Sequence, residues 1–497
     1  MVDIPAEAMV RSASGGEAVF DRKKVLEYRD AIVGDLQALI AIPSVKGDPA
    51  PGAPFGSEAR RALDFMLERG AALGFEARNV DGYAGHVQHG RSGPIVGVLN
   101  HLDVVPAGEG WEHEPFGGEI DDGRVYGRGA SDNKGPAVAS LYCLRALADQ
   151  IPDPGVRIRV IYGTNEESGF GCMMRYLEQE PVPDLGFSPD AGYPLYNREM
   201  GIASFILTAP RAGDRVVQSA GGGEALNMVP AQATAVIAAG HTELARRVVA
   251  RLREEEAVEP RVRIDDSGRE LRLIAEGVAA HGGRPAGGVN AIAHLVRAIT
   301  AIAGEAGADC EPALRALDRL IGFETRGESA GLACRDEESG DLSLNWGTIT
   351  VDDEKVEVGV NIRYPVTADY ARITSVLTCT MKRAGFSVRE ESHLAPLFLA
   401  ADDPLIETLL GVYRSVTGDE TEPMSMAGGT YARVLRGRGV TFGAGFSGDN
   451  TRAHQSDEFI NMDSLMRHAE ICSLAMHELA EVARQGPAHT SGRDGTR

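Results

Sequence analysis

Nowhere in the 497 residues is there a run of about 18 or more apolar residues, so no membrane-spanning helix is expected. The opening stretch, MVDIPAEAMVRSASGGEAVF, lacks the apolar core of a secretory signal. Positive charge is in deficit: 50 Lys+Arg stand against 72 Asp+Glu, a formal net charge of −22. That balance argues against a general binder of nucleic acid or of anionic membranes. Cysteine is sparse as well. Cys143, Cys172, Cys310, Cys334, Cys379 and Cys472 lie far apart with no C-x-x-C pair, which argues against a disulfide framework or a cysteine-based zinc site. Together these absences predict a soluble cytoplasmic protein.

What is present is an alternation of helical and strand-like segments, with 43% hydrophobic residues to fill a core. Helical spacing runs over 24–42 and 58–73. Strand-like runs occupy 95–100 and 156–165, with a helix over 134–150 between them that carries Pro136 near its start. Strand, helix and strand at this length predict a βαβ crossover in a largely parallel α/β sheet. The pattern changes after about 195: strand character at 203–209, 233–239, 270–277 and 355–365 alternates with helices at 241–256, 290–304 and 370–384. A helix at 405–418, a short strand VTFGAGF and a C-terminal helix from Met462 follow. The expected organisation is a discontinuous α/β domain (19–195 and 386–485) with an α+β domain inserted at 196–385. The ends, 1–18 and 486–497, read as flexible arms.

The chemistry-bearing residues fall at element ends. His101 and Asp103 follow the first buried strand, Glu166 and Glu167 follow the second, Asp132 precedes the Pro136 helix, and Asp190 sits in the loop FSPDAGYP. In open α/β sheets ligands bind beyond the carboxyl ends of the strands, where these groups would converge. Imidazole and carboxylates suit zinc, two such ions can act together on a scissile carbonyl, and a further carboxylate must take the proton of water. Neighbouring side chains on a strand point to opposite faces, so the pair 166–167 divides economically into one ligand and one base. Asp103 could accept the second ring N–H of His101 and fix its tautomer.

The segments HLDVVPAGEGWEHEPF, GRVYGRGASDNKGP, GTNEESGFGC and FSPDAGYP, in this order, resemble the aminoacylase/carnosinase/carboxypeptidase-G superfamily of co-catalytic metallopeptidases. The peptidase V type of dipeptidase is the nearest in pattern, over about 25–480. The resemblance implies a catalytic α/β domain with a mixed, largely parallel sheet between helices, phosphorylase/hydrolase-like, and an inserted ferredoxin-like lid of two halves. It implies two divalent metals, zinc first, with manganese or cobalt as alternatives. His101 and Asp190 would hold one ion, Glu167 and His454 the other, and Asp132 would bridge them. A hydroxide between the metals would attack, with Glu166 as general base and Asp103 orienting His101. The peptide bond Asp132–Asn133 would be cis.

In GVAAHGGRPAGGVNA, His281 resembles a lid histidine that stabilises the developing oxyanion, although Gly283 and Arg284 depart from the usual small polar pattern. Asn227 and Arg363 resemble lid residues that touch substrate, and the Arg363 fork suits a free carboxylate. Gly428, Gly429 and Thr430 resemble a loop that holds the substrate's C-terminal end. The implied activity is hydrolysis of short peptides, dipeptides first and β-Ala-His among them, by a monomer. An N-acyl-amino-acid deacylase and a catalytically silent metal-binding homologue are the alternatives.

Overall fold

The computed structural model describes residues 20–212, 216–255, 261–266, 270–307 and 311–486. Residues 1–18 and all but the first of 486–497, read above as arms, lie outside them. The chain divides into two compact units: the residues up to Asp190 with Gly411–Asp419 and those from Ala444 onward, and Ala191–Leu410 with Glu420–Gly443. Among the described residues no helix is long and apolar enough to cross a membrane, and five cysteines are free thiols.

In the first unit, β1 (Glu76–Val80), β2 (Ala84–His89), β3 (Ile95–His101), β4 (Arg157–Gly163) and β5 (Leu185–Ser188) lie in the spatial order β1-β2-β4-β3-β5. The first three neighbours in that order pair antiparallel, whereas β3 runs parallel to both β4 and β5, so the sheet is mixed. Every residue of β3 is buried, as expected of a strand covered on both faces. The βαβ crossover is present: helix Gly135–Gln150, with Pro136 in its first turn, links β3 to β4 and packs against helix Met462–Gln485. The helix read over 24–42 begins as a tight 3₁₀ stretch, Arg22–Tyr28, whose Asp21 cap accepts from Lys23 N–H, and becomes α-helical over Arg29–Ile40.

Burial in this unit carries a pH consequence. His86 on β2 is buried with its Nδ1 2.9 Å from the Tyr176 hydroxyl. Burial, helped by the nearby Arg159 and Arg78 charges, pushes its pKa from 6.5 down to about 3. The unfolded chain therefore binds this proton first, so its contribution to stability is present above pH 6.5 and lost as the pH falls toward 3. His86→Gln is expected to flatten the acid-side decline in denaturation free energy by about 1.4 kcal/mol per pH unit within that window. An unchanged slope in urea titrations between pH 6 and 4 would refute the assignment.

The second unit is built on an eight-stranded, wholly antiparallel sheet. Its spatial order is Val262–Asp265, Leu271–Glu276, Gln232–Ile237, Val217–Gly222, Ser343–Val351, Lys355–Tyr364, Gly201–Pro210, Ser387–Leu394. The apolar sides of helices Ala291–Glu305, Pro312–Leu320 and Tyr370–Arg383 join its core. Asn290 caps the first of these by accepting from Ile292 and Ala293 N–H. Four of the eight strands, Val217–Gly222, Val262–Asp265, Ser343–Val351 and Ser387–Leu394, are not marked by the sequence pattern. Ser387–Leu394 is an exposed edge, and Ser343–Val351 carries Asn345 and Gly347 where an apolar alternation would stand. A smaller set of strands in the same unit has Tyr196–Glu199 paired with Leu397–Phe398, Met424–Met426 and Gly439–Thr441.

Candidate metal centre

Three parallel strands deliver the first groups. β3 ends on His101, which is level with Gly163 at the end of β4, and Glu166 and Glu167 follow from there. Asp190 comes two residues after Ser188 closes β5. Asp132 arrives on the irregular turn Ala130–Lys134 that leads into helix Gly135–Gln150. Gly129, at φ +85°, permits this turn, because a Cβ there would lie 2.7 Å from Val104 Cγ1 in a backbone region that L residues rarely adopt. The Asp132–Asn133 peptide is cis, and the Asn133 side-chain amide donates to the Pro189 carbonyl at 2.6 Å, tying this turn to the loop that carries Asp190. Lys134 is buried and donates to the Leu39 and Ile42 carbonyls. Burial pushes its pKa down to about 7.

The side chains meet as a compact cluster. His101 Nε2 lies 2.9 Å from Asp132 Oδ1 and 3.3 Å from Asp190 Oδ1. On the other side, His454 Nε2 lies 3.1 Å from Asp132 Oδ2 and 3.0 Å from Glu167 Oε1. Asp132 thus offers one carboxylate oxygen to each histidine. His454 is half exposed on a tight loop, at φ +64°. Donor atoms of His101, Asp132 and Glu167, and again of His101, Glu166 and Asp190, are mutually close enough to enclose a cation.

One detail differs from the sequence reading. Nδ1 of His101 is 2.9 Å from the backbone carbonyl of Asp103 and 3.7 Å from its carboxylate, so the carbonyl is the nearer acceptor for the ring N–H. The Asp103 carboxylate instead accepts the N–H groups of Glu166 and Glu167, at 2.9 and 3.1 Å, because the turn there has two buried donors to satisfy. The Glu166 and Glu167 donors fall in two different clusters, the first with His101 and Asp190 and the second with His101 and Asp132. β4 has ended at Gly163, and the turn that follows lets both carboxylates approach His101.

The electrostatics are those of a site with too many carboxylates. Burial, then the Asp190 charge, holds Glu166 well above the usual carboxylate range. Burial and the Asp132 charge push Glu167 up to about 7. Hydrogen bonds to Asp132 and Glu167 drive His454 up to about 11. For His101, burial opposes the charge, but Asp190 and Asp132 outweigh it and hold the ring well above its ordinary value. Burial likewise works against the Asp132 carboxylate, yet both histidines keep it well below the usual range. The carboxylates crowded around His101 and His454 raise both rings, and a divalent cation would offset the same excess of negative charge. Clustered hard oxygen donors flanked by imidazole nitrogens fit divalent ions of the zinc type.

The chain matches Peptidase family M20/M25/M40 over residues 97–478. It is 36% identical over 468 residues to the protein named "Putative dipeptidase YtjP" of Bacillus subtilis (strain 168), covering 92% of this chain and 99% of that one. The chain belongs to the M20/M25/M40 peptidases. Another member, named "Putative dipeptidase SSP1012" in Staphylococcus saprophyticus, is 35% identical over 470 residues, with 92% and 99% covered. In fold the protein is similar to human carnosine dipeptidase 1, with a TM-score of 0.55, 16% identity, and 93% and 100% of the two chains covered. As an M20 peptidase it is a metal-dependent hydrolase of peptide bonds.

The remaining predicted residues of this M20 chain lie in the second unit. Asn227 and His281 are brought together: Met228 pairs with His281, and Gly282 N–H donates to the Asn227 carbonyl at 2.6 Å. Gly283 N–H donates to His281 Nδ1 at 3.2 Å, so the neutral ring carries its proton on Nε2. Arg363 pairs in register with Ser343, whose hydroxyl donates to the Gly283 carbonyl at 3.3 Å. The Arg363 guanidinium donates to the Asn361 side chain and to the Ala427 carbonyl, both at 3.0 Å, beside Gly428. It is buried, and burial together with the Arg433 charge lowers its pKa to about 10.

Thr430 stands apart from the others. Its N–H donates to Glu199, and its hydroxyl is engaged by Glu199, Thr441 and Ala432 N–H, so its polar atoms serve the loop itself. Buried Glu199 also receives Arg433, whose guanidinium donates to the Gly428 and Met200 carbonyls. The sequence analysis did not single out Glu199, Arg433, Arg128 or Glu458. A buried acid has no local signature, although Glu458 stands four residues beyond His454 and Arg128 four before Asp132.

Proposed function

We propose that this protein hydrolyses dipeptides with a free C-terminal carboxylate, β-Ala-His included, using two divalent cations, zinc in first place. His101 and Asp190 would hold one ion, Glu167 and His454 the other, and Asp132 both. The observation that carries this reading is the placement of the two Asp132 oxygens toward different histidines, 2.9 and 3.1 Å away. When bound, the cations supply polarisation of the scissile carbonyl and a more acidic water. Glu166 takes the proton of the attacking water and returns it to the amine nitrogen as the peptide C–N bond breaks. Asp103 orients the other groups through the 166–167 turn and the His101 ring. His281, protonated on Nε2, donates to the oxygen that gains charge.

Arg363 is the group proposed to take the peptide's terminal carboxylate, with Asn227 and the Gly428–Gly429 backbone as further contacts. Support comes from its burial and from its bonds to neutral acceptors, Asn361 and Ala427, which leave its charge uncompensated by either. Arg363→Met is expected to lower kcat/KM roughly 10- to 150-fold, the worth of a charged hydrogen bond. A substrate amidated at its C-terminus should hardly distinguish the variant from the parent. If the variant keeps its preference for the free carboxylate, the role is wrong. The same reading makes the insertion expected at 196–385, lengthened by the strand Ser387–Leu394 that joins its sheet, a substrate-binding domain of a monomeric cytoplasmic enzyme.

The test of function is turnover of Ala-Ala, β-Ala-His, Leu-Gly-Gly and N-acetyl-methionine by chelated enzyme given zinc, manganese or cobalt. Metal-dependent cleavage confined to the dipeptides supports the proposal. Cleavage of N-acetyl-methionine alone makes the protein a deacylase, and bound metal with no cleavage of any substrate makes it a silent homologue.

A further inference from the structure

Glu458 is fully buried, and its carboxylate is wrapped by one short stretch of chain. Oε1 accepts from Ser131 N–H and Asp132 N–H, each at 3.1 Å, and from the Ser131 hydroxyl at 3.0 Å. Oε2 accepts from Arg128 Nη1 at 2.6 Å, and the Glu458 carbonyl accepts Gly127 N–H at 2.8 Å. Arg128 in turn donates to the Ala107 carbonyl at 3.1 Å and lies over the Trp111 ring at 5.1 Å. We propose that Glu458 is a positioning residue for Asp132, fixing the backbone from which that carboxylate faces both histidines. The inference rests on the metal reading above and extends it to a residue that touches no cation.

Stability alone does not account for Glu458. A buried ion pair is often matched or bettered by apolar residues of similar volume, and here a whole carboxylate is spent on two peptide N–H groups, a hydroxyl and one guanidinium. Those donors all come from residues 128–132, while Glu458 itself stands four residues from His454. The carboxylate therefore couples the segment bearing Asp132 to the segment bearing His454. Asn133 ties the same turn to the loop of Asp190 through the Pro189 carbonyl. Groups that orient ligands in this way typically govern metal affinity by about 10- to 100-fold.

The experiment is zinc competition against a chromophoric chelator, on full-length protein whose folding is followed by circular dichroism. Glu458→Gln presents an amide N–H₂ to one set of donors whichever way it turns, and is expected to weaken zinc binding about 10- to 100-fold while the protein stays folded. Asp457→Asn is the comparison: the adjacent Asp457 accepts from Glu112 and His113 N–H, at 2.8 and 3.1 Å, and holds a different loop. It should leave zinc affinity unchanged. Folded Glu458→Gln with parental affinity overturns the proposal, and so does equal weakening by Asp457→Asn, which would mean general loosening. If Glu458→Gln does not fold, Ser131→Ala, lacking one Oε1 donor, carries the test: weaker zinc supports the proposal and parental affinity overturns it. Failure of the parent itself to bind zinc would overturn the metal reading instead.

Discussion

Glu166→Gln is expected to lower kcat about 10²- to 10⁴-fold while the protein binds its metals as before. Glutamine has the same shape and can still hydrogen-bond a water, but it cannot remove that water's proton. The Glu166 peptide N–H, 2.9 Å from the Asp103 carboxylate, is untouched by the change, so the turn that also carries Glu167 should hold its place. Single-turnover hydrolysis of Ala-Ala, with metal content measured on the same sample, separates the possibilities. Full activity would remove Glu166 from proton transfer. Loss of metal would make it a ligand, an arrangement that its closeness to His101 and Asp190 also allows.

Asp132→Ala should have the largest effect on metal content, because Asp132 turns one carboxylate oxygen to each of the two histidines. We expect both cations to be lost and turnover to fall on the order of 10³-fold or more, since Lewis-acid polarisation contributes several kcal/mol and each 1.36 kcal/mol is tenfold. Asp190→Ala, which removes a carboxylate from beside His101, should release one. Metal-to-protein ratios after dialysis decide between them. An Asp132→Ala protein that retained two ions would end the bridging assignment, whatever its activity.

Several parts of this site could be read from residues in a row. Buried runs such as 95–101 mark strands by composition; His101 closes that one, and Glu166–Glu167 stand just beyond another. The crossover helix was legible from its apolar spacing and Pro136. In the second unit, strands with regular alternation were legible, whereas Ser343–Val351 and Ser387–Leu394 were not, since polar residues and glycine on a partly exposed strand blur its period.

By itself the sequence determined the α/β character, the chemical types gathered at strand ends, and the order of motifs that marks an M20 peptidase. These depend on local composition and spacing, which a chain carries before it folds. Only the tertiary structure decided that Asp132 divides its oxygens between His101 and His454, residues more than 350 positions apart in the chain. It alone decided that the Asp103 carboxylate serves the 166–167 turn, that Thr430 is consumed by Glu199, and that Glu458 gathers the donors around Asp132. The reason is physical: a buried polar atom must find a partner wherever the fold brings one, and such partners come from distant segments whose meeting no local pattern encodes.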